Sequence, residues 1–190
     1  VLEIELKFPL DDAERLRQQV LELGGSVAGP RQQHRDTYYA HPCRDFKKTT
    51  EALRIRGIDG HYHITYKGPK QASQVKTRQE LEWSLGPDDA RGEKMTAVLE
   101  ALGFRPVATV EKFRETLEIH WDGLVLEVTL DEVNGVGWYA EIEAIAADQA
   151  AVATAREAVL SLARRLGLTQ PEPRSYLNLL LNAENLDAKD

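Results

Sequence analysis

The stretch Glu3-Ile4-Glu5-Leu6-Lys7, near the start of the chain, decides how the rest is read. In an extended strand successive side chains face opposite ways, so Glu3, Glu5 and Lys7 share one face and Leu2, Ile4, Leu6 and Phe8 the other. The apolar face suits burial beneath helices. The charged face then either meets solvent or lines a polar interior. For a single strand the wetted face is the ordinary outcome. The same alternation, with the same kinds of charge, recurs along most later strands and favours the polar interior.

Working outward, the charged faces are Glu3, Glu5 and Lys7; Arg54 and Arg56; Thr65 and Lys67; Arg78, Glu80 and Glu82; Lys112 and Arg114; Glu127 and Asp131; and Glu141 and Glu143. The opposite faces carry Leu53, Ile55, Tyr62, Ile64, Leu81, Trp83, Phe113, Leu126, Val128 and Ile142, which helices could cover. Small barrels are ordinarily packed with aliphatic side chains. This one would be inverted, with apolar residues outward and mixed charge within. Acids dominate the first and last strands and bases the middle, which a flat two-sided sheet does not explain.

Between these strands the spacing predicts a helix capped by Asp11 or Asp12, with Leu16, Val20 and Leu23 on its buried stripe and Gly24-Gly25 at its end. Residues 33–40 read as a strand, 44–50 as a polar, mobile segment, and 52–56 and 62–67 as a hairpin across Ile58-Asp59-Gly60-His61. Residues 70–76 read as an exposed loop. A second helix is expected from Asp88 or Asp89, burying Met95, Val98, Leu99 and Leu102 and ending at Gly103. Runs 109–121, 124–133 and 138–145 form a meander with turns at Asp122-Gly123 and Asn134-Gly135. Asp148 caps a third helix carrying Val152, Ala155, Val159, Leu162 and Leu166, and 175–181 make a helical tail. A weak repeat of strand, helix and hairpin suggests duplicated halves of about 1–70 and 76–146, followed by C-terminal helices over 148–182, all within one domain spanning 1–190.

The 190 residues, 42% hydrophobic, support a core of ordinary size. A formal net charge of −7 argues against a general nucleic-acid binder. Cys43 is the single cysteine, so there is no intrachain disulfide framework, as expected of a cytoplasmic protein. No apolar run is long enough for a membrane span.

Paired carboxylates are hard oxygen ligands for Mg²⁺ or Mn²⁺, and arginines and lysines in the same cavity would neutralise a triphosphate. No Walker loop or Gly-x-Gly-x-x-Gly is present, so phosphates would be held by side chains. Cys43 has no base near it in sequence and reads as an incidental thiol. His61 and His63 read as an exposed hairpin pair rather than a zinc site, and Lys47-Lys48 and Arg164-Arg165 as solvated charge.

These residues resemble the CYTH proteins, or triphosphate tunnel metalloenzymes, which include class IV adenylyl cyclases and thiamine triphosphatases. The motifs are Glu3-x-Glu5-x-Lys7, Asp36-Thr37-Tyr38-Tyr39, Leu53-Arg54-Ile55-Arg56, Tyr66-Lys67-Gly68-Pro69, Arg78-x-Glu80-x-Glu82, Glu111-Lys112-x-Arg114, Asp131-x-Val133 with Gly135-x-Gly137, Glu141-Ile142-Glu143 and Arg174-Ser175-Tyr176. They span nearly the whole chain in the family's order, and the closing motif is most similar to the class IV cyclase branch. The resemblance implies an α+β fold: an eight-stranded antiparallel β-barrel, a triphosphate tunnel with a charged interior and helices packed outside. It also implies Mg²⁺ or Mn²⁺ as cofactor on Glu3, Glu5, Glu141 and Glu143. Substrate phosphates would lie on Lys7, Arg54, Arg56, Lys67, Arg78, Lys112 and Arg114, and Asp131, Lys112 and Arg114 would form the catalytic group. Glu143 departs from some cyclases, which lack that second acid, whereas triphosphatases keep it.

The resemblance therefore leaves two enzymes in view: an adenylyl cyclase making cyclic AMP and pyrophosphate, or a triphosphatase acting on tripolyphosphate, thiamine triphosphate or a nucleoside triphosphate. A noncatalytic polyphosphate-binding module is a third reading that has no need of the paired acids. The partner is a nucleoside triphosphate or another triphosphate, not nucleic acid or a membrane, and a homodimer is left open.

Overall fold

The computed structural model describes residues 2–69 and 76–187. Its strands are β1 (Leu2–Pro9), β2 (Ser26–Val27), β3 (Gln32–Ala40), β4 (Ala52–Ile58), β5 (His61–Lys67), β6 (Lys76–Ser84), β7 (Arg105–Trp121), β8 (Leu124–Val133) and β9 (Gly137–Ala146). Its helices are α1 (Ala13–Glu22), α2 (Phe46–Thr49), α3 (Glu93–Ala101), α4 (Val152–Arg165) and α5 (Tyr176–Asp187). Eight strands run in the order β7-β3-β4-β5-β6-β1-β9-β8, and β7 pairs back onto β8. The sheet is thereby a closed antiparallel barrel, with the two-residue β2 attached to β7. Closure depends on the length of β7: residues 105–114 pair with β3 and 112–121 with β8.

Two hairpins are set by local chemistry. Asp59 and Gly60 have φ of 46° and 86°, and Asp122 and Gly123 have φ of 49° and 80°. Both central residues are left-handed, the turn whose twist matches that of the flanking strands. Exchanging β1, β3, β4 and β5 with β6, β7, β8 and β9 respectively maps the set of barrel pairings onto itself, β1–β6 and β3–β7 each onto themselves and the other six in pairs.

The apolar outer faces divide between two helical covers. Ile4, Leu6, Phe8, Leu117, Leu126, Val128 and Ile142 are buried beneath Leu16 and Val20 of α1 and Val152, Ala155, Val159 and Leu162 of α4. Each fully buried aliphatic side chain there contributes about 1.5 to 3 kcal/mol. Docking therefore outweighs intrinsic propensity in holding α1 and α4. Leu53, Ile55 and Tyr39 pack under Leu99 of α3, with Met95, Tyr62 and Ile64 around them.

Several expectations need correction. Residues 44–50 contain a helix, α2, whose first turn is capped by Asp45, its carboxylate accepting from the amides of Lys47 at 3.1 Å and Lys48 at 3.3 Å. The second helix begins at Glu93, not at Asp88 or Asp89, because Pro87–Asp89 form a separate 3-10 turn. Asp89 nevertheless serves that helix, accepting from the amides of Lys94 at 2.9 Å and Met95 at 2.8 Å. Val98 and Leu102 are exposed rather than buried, as are Leu81, Trp83 and Phe113 on the outward strand faces. The helices cover only part of the barrel's outward face. β7 begins at Arg105, earlier than expected, and the tail helix runs from Tyr176 to Asp187. The loop expected over 70–76 lies outside the described residues up to 75.

Candidate functional site: a charged tunnel through the barrel

The inward faces enclose a cavity of about 230 Å³. Its lining has seven acids, Glu3, Glu5, Glu80, Glu82, Glu127, Glu141 and Glu143, and seven bases, Lys7, Arg54, Arg56, Lys67, Arg78, Lys112 and Arg114. Strand alternation had placed all fourteen on charged faces, and the barrel brings them together. The two signs are present in equal number.

The ligand-free side chains pair with each other. Lys67 Nζ donates to both carboxylate oxygens of Glu3 at 2.8 Å and lies 2.6 Å from Glu80. Arg56 donates through two nitrogens to Asp36, both bonds at 2.7 Å, and Arg54 reaches the same carboxylate at 3.1 Å. Arg114 bridges Asp131 and Glu141, its Nε 2.7 Å from Asp131. Lys112 Nζ lies 2.9 Å from Asp131. Lys7 donates to the carbonyl of Arg174 and stands 4.1 Å from the ring centre of Tyr176, a cation-over-ring contact.

Asp131 sits behind the tunnel wall rather than in it. It is fully buried, and its carboxylate accepts from Lys112, Arg114 and the Tyr176 hydroxyl at 2.8 Å. Burial pushes its carboxyl up, but Arg114 and Lys112 outweigh that and hold it below the usual range. The arrangement positions two bases and has little capacity left for a metal. Asp36 plays the same part for Arg54 and Arg56. Charged-face reading missed Asp36, together with Tyr38 and Tyr176 at the tunnel edge. Their signal was period-two spacing in β3 and the closing Arg174-Ser175-Tyr176.

The acids split into two populations. Burial and Glu5 push the Glu141 carboxyl up, and Arg114, Lys112 and Lys7 overcome them, leaving it at about 2. Glu143 goes the other way: burial and then Glu3 push it up to about 8, with Glu5 adding to the rise against Lys67 and Arg114. Neighbouring charges explain the difference: Arg114 is paired with Glu141, whereas after burial the largest influence on Glu143 is the like charge of Glu3. Glu5 lies directly opposite Glu143, and Glu143 opposite Glu127, so carboxylates on β1, β9 and β8 are cross-strand neighbours. Like charges at that spacing repel. Among the described residues no three such side chains are gathered to hold an ion as they stand. Glu3 and Glu141 are turned toward Lys67 and Arg114. The donor set nevertheless fits a hard divalent cation: carboxylate oxygens on adjacent strands, whose mutual repulsion a divalent charge would relieve.

A second cavity, of about 410 Å³, adjoins the tunnel and shares Tyr38, Arg54, Lys67, Arg78 and Ser175 with it. Its remaining walls include Tyr39, His41, Phe46, Leu53, Val107, Leu177, Asn178 and Leu181, with Arg44, Asp45, Lys47 and Glu51 among them. The tunnel thus opens into a vestibule between the α2 segment and α5 that is far more apolar than itself. Beside it, Tyr176 and Leu179 pack with Tyr38, Val110, Val133 and Tyr139, so α5 occupies part of this mouth.

A closed antiparallel barrel with helices outside and a tunnel of balanced charge within is the architecture of the triphosphate-tunnel fold. The CYTH domain model matches residues 2–176, and the chain belongs to that family. "Putative adenylate cyclase MJ0240" of Methanocaldococcus jannaschii is 33% identical over 181 residues, covering 94% of this chain and 98% of the relative. "Adenylate cyclase CyaB" of Aeromonas hydrophila is 28% identical over 191 residues, covering 98% and 93%. Among solved structures, the PH1819 protein of Pyrococcus horikoshii OT3 is 39% identical, with a TM-score of 0.80 over 95% of this chain and 98% of that one. No described helix is long and apolar enough to cross a membrane.

Proposed function

We propose that this protein is a divalent-metal-dependent adenylyl cyclase, converting ATP to cyclic AMP and pyrophosphate. The observation that carries the reading is the junction of the two cavities: a charged tunnel sized for phosphates opens, past Arg54, Arg78 and Tyr38, into a larger vestibule whose exposed walls are mostly apolar. A nucleoside fits the second and its triphosphate the first. The names borne by the curated relatives support the same reaction.

In that reaction the ribose 3′ oxygen forms a bond to the α-phosphorus, the bond from that phosphorus to the bridging oxygen breaks, and pyrophosphate departs. The hydroxyl proton passes to a tunnel carboxylate or to water. Arg56, Lys112 and Arg114, fixed by Asp36 and Asp131, receive the charge that grows on pyrophosphate. Because they are already aimed, little reorganisation is needed during the reaction. Glu3, Glu5, Glu141 and Glu143 would hold Mg²⁺ or Mn²⁺, which when bound lowers the proton affinity of an attacking oxygen and neutralises phosphate charge.

One observation favours a second reaction. The acid pair Glu5 and Glu143 would suit activation of water against the terminal phosphorus, that is, triphosphate hydrolysis in the same tunnel. Incubating ATP, tripolyphosphate and thiamine triphosphate separately with Mg²⁺ or Mn²⁺, and measuring cyclic AMP, pyrophosphate and phosphate, separates them. Cyclic AMP with matching pyrophosphate is expected; phosphate without cyclic AMP would replace the cyclase by a triphosphatase.

A further inference from the structure

His34 is a buried titratable side chain that takes no part in the ion pairs of the tunnel. It stands on β3 in period-two register with Asp36 and Tyr38, so it faces into the barrel, and it is 4% exposed. Neither Nδ1 nor Nε2 meets a hydrogen-bond partner among the described residues. Across the strands it lies opposite Lys112 of β7, and two residues along β3 Asp36 lies opposite Arg56 of β4. The charged groups that act on it most strongly are Lys112, Arg56 and Arg114, with Asp36 opposing them. Leaving a buried imidazole unsatisfied costs about 1 to 3 kcal/mol. Surrounding it with three cations makes protonation costly as well.

We propose that His34, which lies beneath the lining of the tunnel rather than on it, becomes a further phosphate-binding residue when Arg56, Lys112 and Arg114 turn to the end of a bound triphosphate and uncover it. A phosphoryl oxygen seated among these bases supplies the acceptor that the imidazole lacks. It also cancels the positive field, so the imidazole takes a proton from solvent and donates a charge-assisted hydrogen bond. Without ligand, burial first and then Lys112, Arg56 and Arg114 hold the imidazole down at about 3, against Asp36, so it is neutral throughout the physiological range. The positions of Asp36 and Asp131 explain why the cations alone are not enough: their charge is already shared with buried acids, whereas His34 has nothing to share.

The inference rests on the tunnel being a triphosphate site, and the test separates the two. The full-length protein, with histidine imidazoles isotopically labelled and His34 assigned through His34→Gln, is titrated with tripolyphosphate, with and without Mg²⁺. Calorimetry on the same samples measures binding. The expected result is a His34 ring that stays neutral from pH 5 to 8 without ligand and, in the saturated complex, titrates near the ordinary imidazole value of about 6.5. His34→Gln should weaken tripolyphosphate binding about tenfold or more at pH 6 and clearly less at pH 8, as expected for loss of a charged donor. Tripolyphosphate binding with an unmoved His34 ring, or an unchanged pH dependence in the variant, overturns this inference alone. Absence of any tripolyphosphate binding by the unaltered protein overturns the tunnel reading and this one with it.

Discussion

Asp36 holds two arginines at once from a position 2% exposed, and its carboxylate shows how the tunnel wall is kept rigid. Burial raises its carboxyl, but Arg54 and Arg56 overcome this and drive it far below the usual range. Because the folded value lies below the unfolded one, the stabilisation is complete above the ordinary carboxylate value of about 3.9 and is lost as pH falls below it. Asp36→Asn should cost about 3 to 5 kcal/mol near neutral pH, since it strands buried arginine charge. Urea unfolding at pH 3 to 7 should show a shallower acid loss in the variant than in the unaltered protein. At the carboxylates, Glu5→Gln or Glu141→Gln should cut metal-dependent turnover severely while the fold survives, because an amide is a poor hard-metal ligand. Ordinary turnover at limiting Mg²⁺ would remove that residue from the metal set. Arg56→Ala should weaken tripolyphosphate binding by about tenfold or more, read by calorimetry, through loss of a bidentate charged donor. The fourteen charged lining residues were legible because their strands set charge against apolar side chains. His34, Asp36 and Tyr38 were not legible by face contrast, because the alternate residues of β3, Gln33, Arg35 and Thr37, are polar too; Asp36 and Tyr38 stood out only through the Asp36-Thr37-Tyr38-Tyr39 motif.

Elements were legible where one face had to be buried. The stripe of α4 was found residue by residue, since Val152, Ala155, Val159, Leu162 and Leu166 all pack on the barrel. α3 was misread at its start and on Val98 and Leu102. Helical spacing names apolar residues, but the width of the covered stripe depends on how far the helix wraps the sheet. The tail is the element whose place matters most to the site. Glu172 donates its amide to the Lys7 carbonyl at 2.7 Å, and Tyr176 reaches through to Asp131, so the 172–176 segment crosses β1 before α5 enters the mouth. Tyr176→Phe keeps the ring over Lys7 and deletes only the hydroxyl. It should lower stability by about 1.5 to 3 kcal/mol in urea unfolding, the usual value of a hydrogen bond to a charged group. An unchanged midpoint would show that Asp131 does not depend on the tail.

For the whole molecule, the consequence of an interior built from opposed charges is that ligand binding and stability are linked. Tripolyphosphate at about a hundred times its dissociation constant should add about 2.7 kcal/mol to the folded state. For a chain of this size that is a rise of roughly 5 to 10 °C in the thermal midpoint, smaller at high salt. No rise in a thermal scan, with or without Mg²⁺, would count against the tunnel as a polyanion site. The exchange of β1, β3, β4 and β5 with β6, β7, β8 and β9 preserves the set of barrel pairings and supports the proposal of duplicated halves. Superposing residues 2–67 on 76–146 tests it, and failure of those strands to align in that order would end it. The amino-acid order alone determined which side chains share a strand face and which faces are charged, because alternation is a property of neighbouring peptide units. Only the folded barrel decided that β7 closes onto β8, that Asp36 and Asp131 lie behind the wall, and that the tunnel opens into a vestibule. Those facts depend on the register between strands far apart in the chain, and register is fixed by the packing of the whole sheet under its helices.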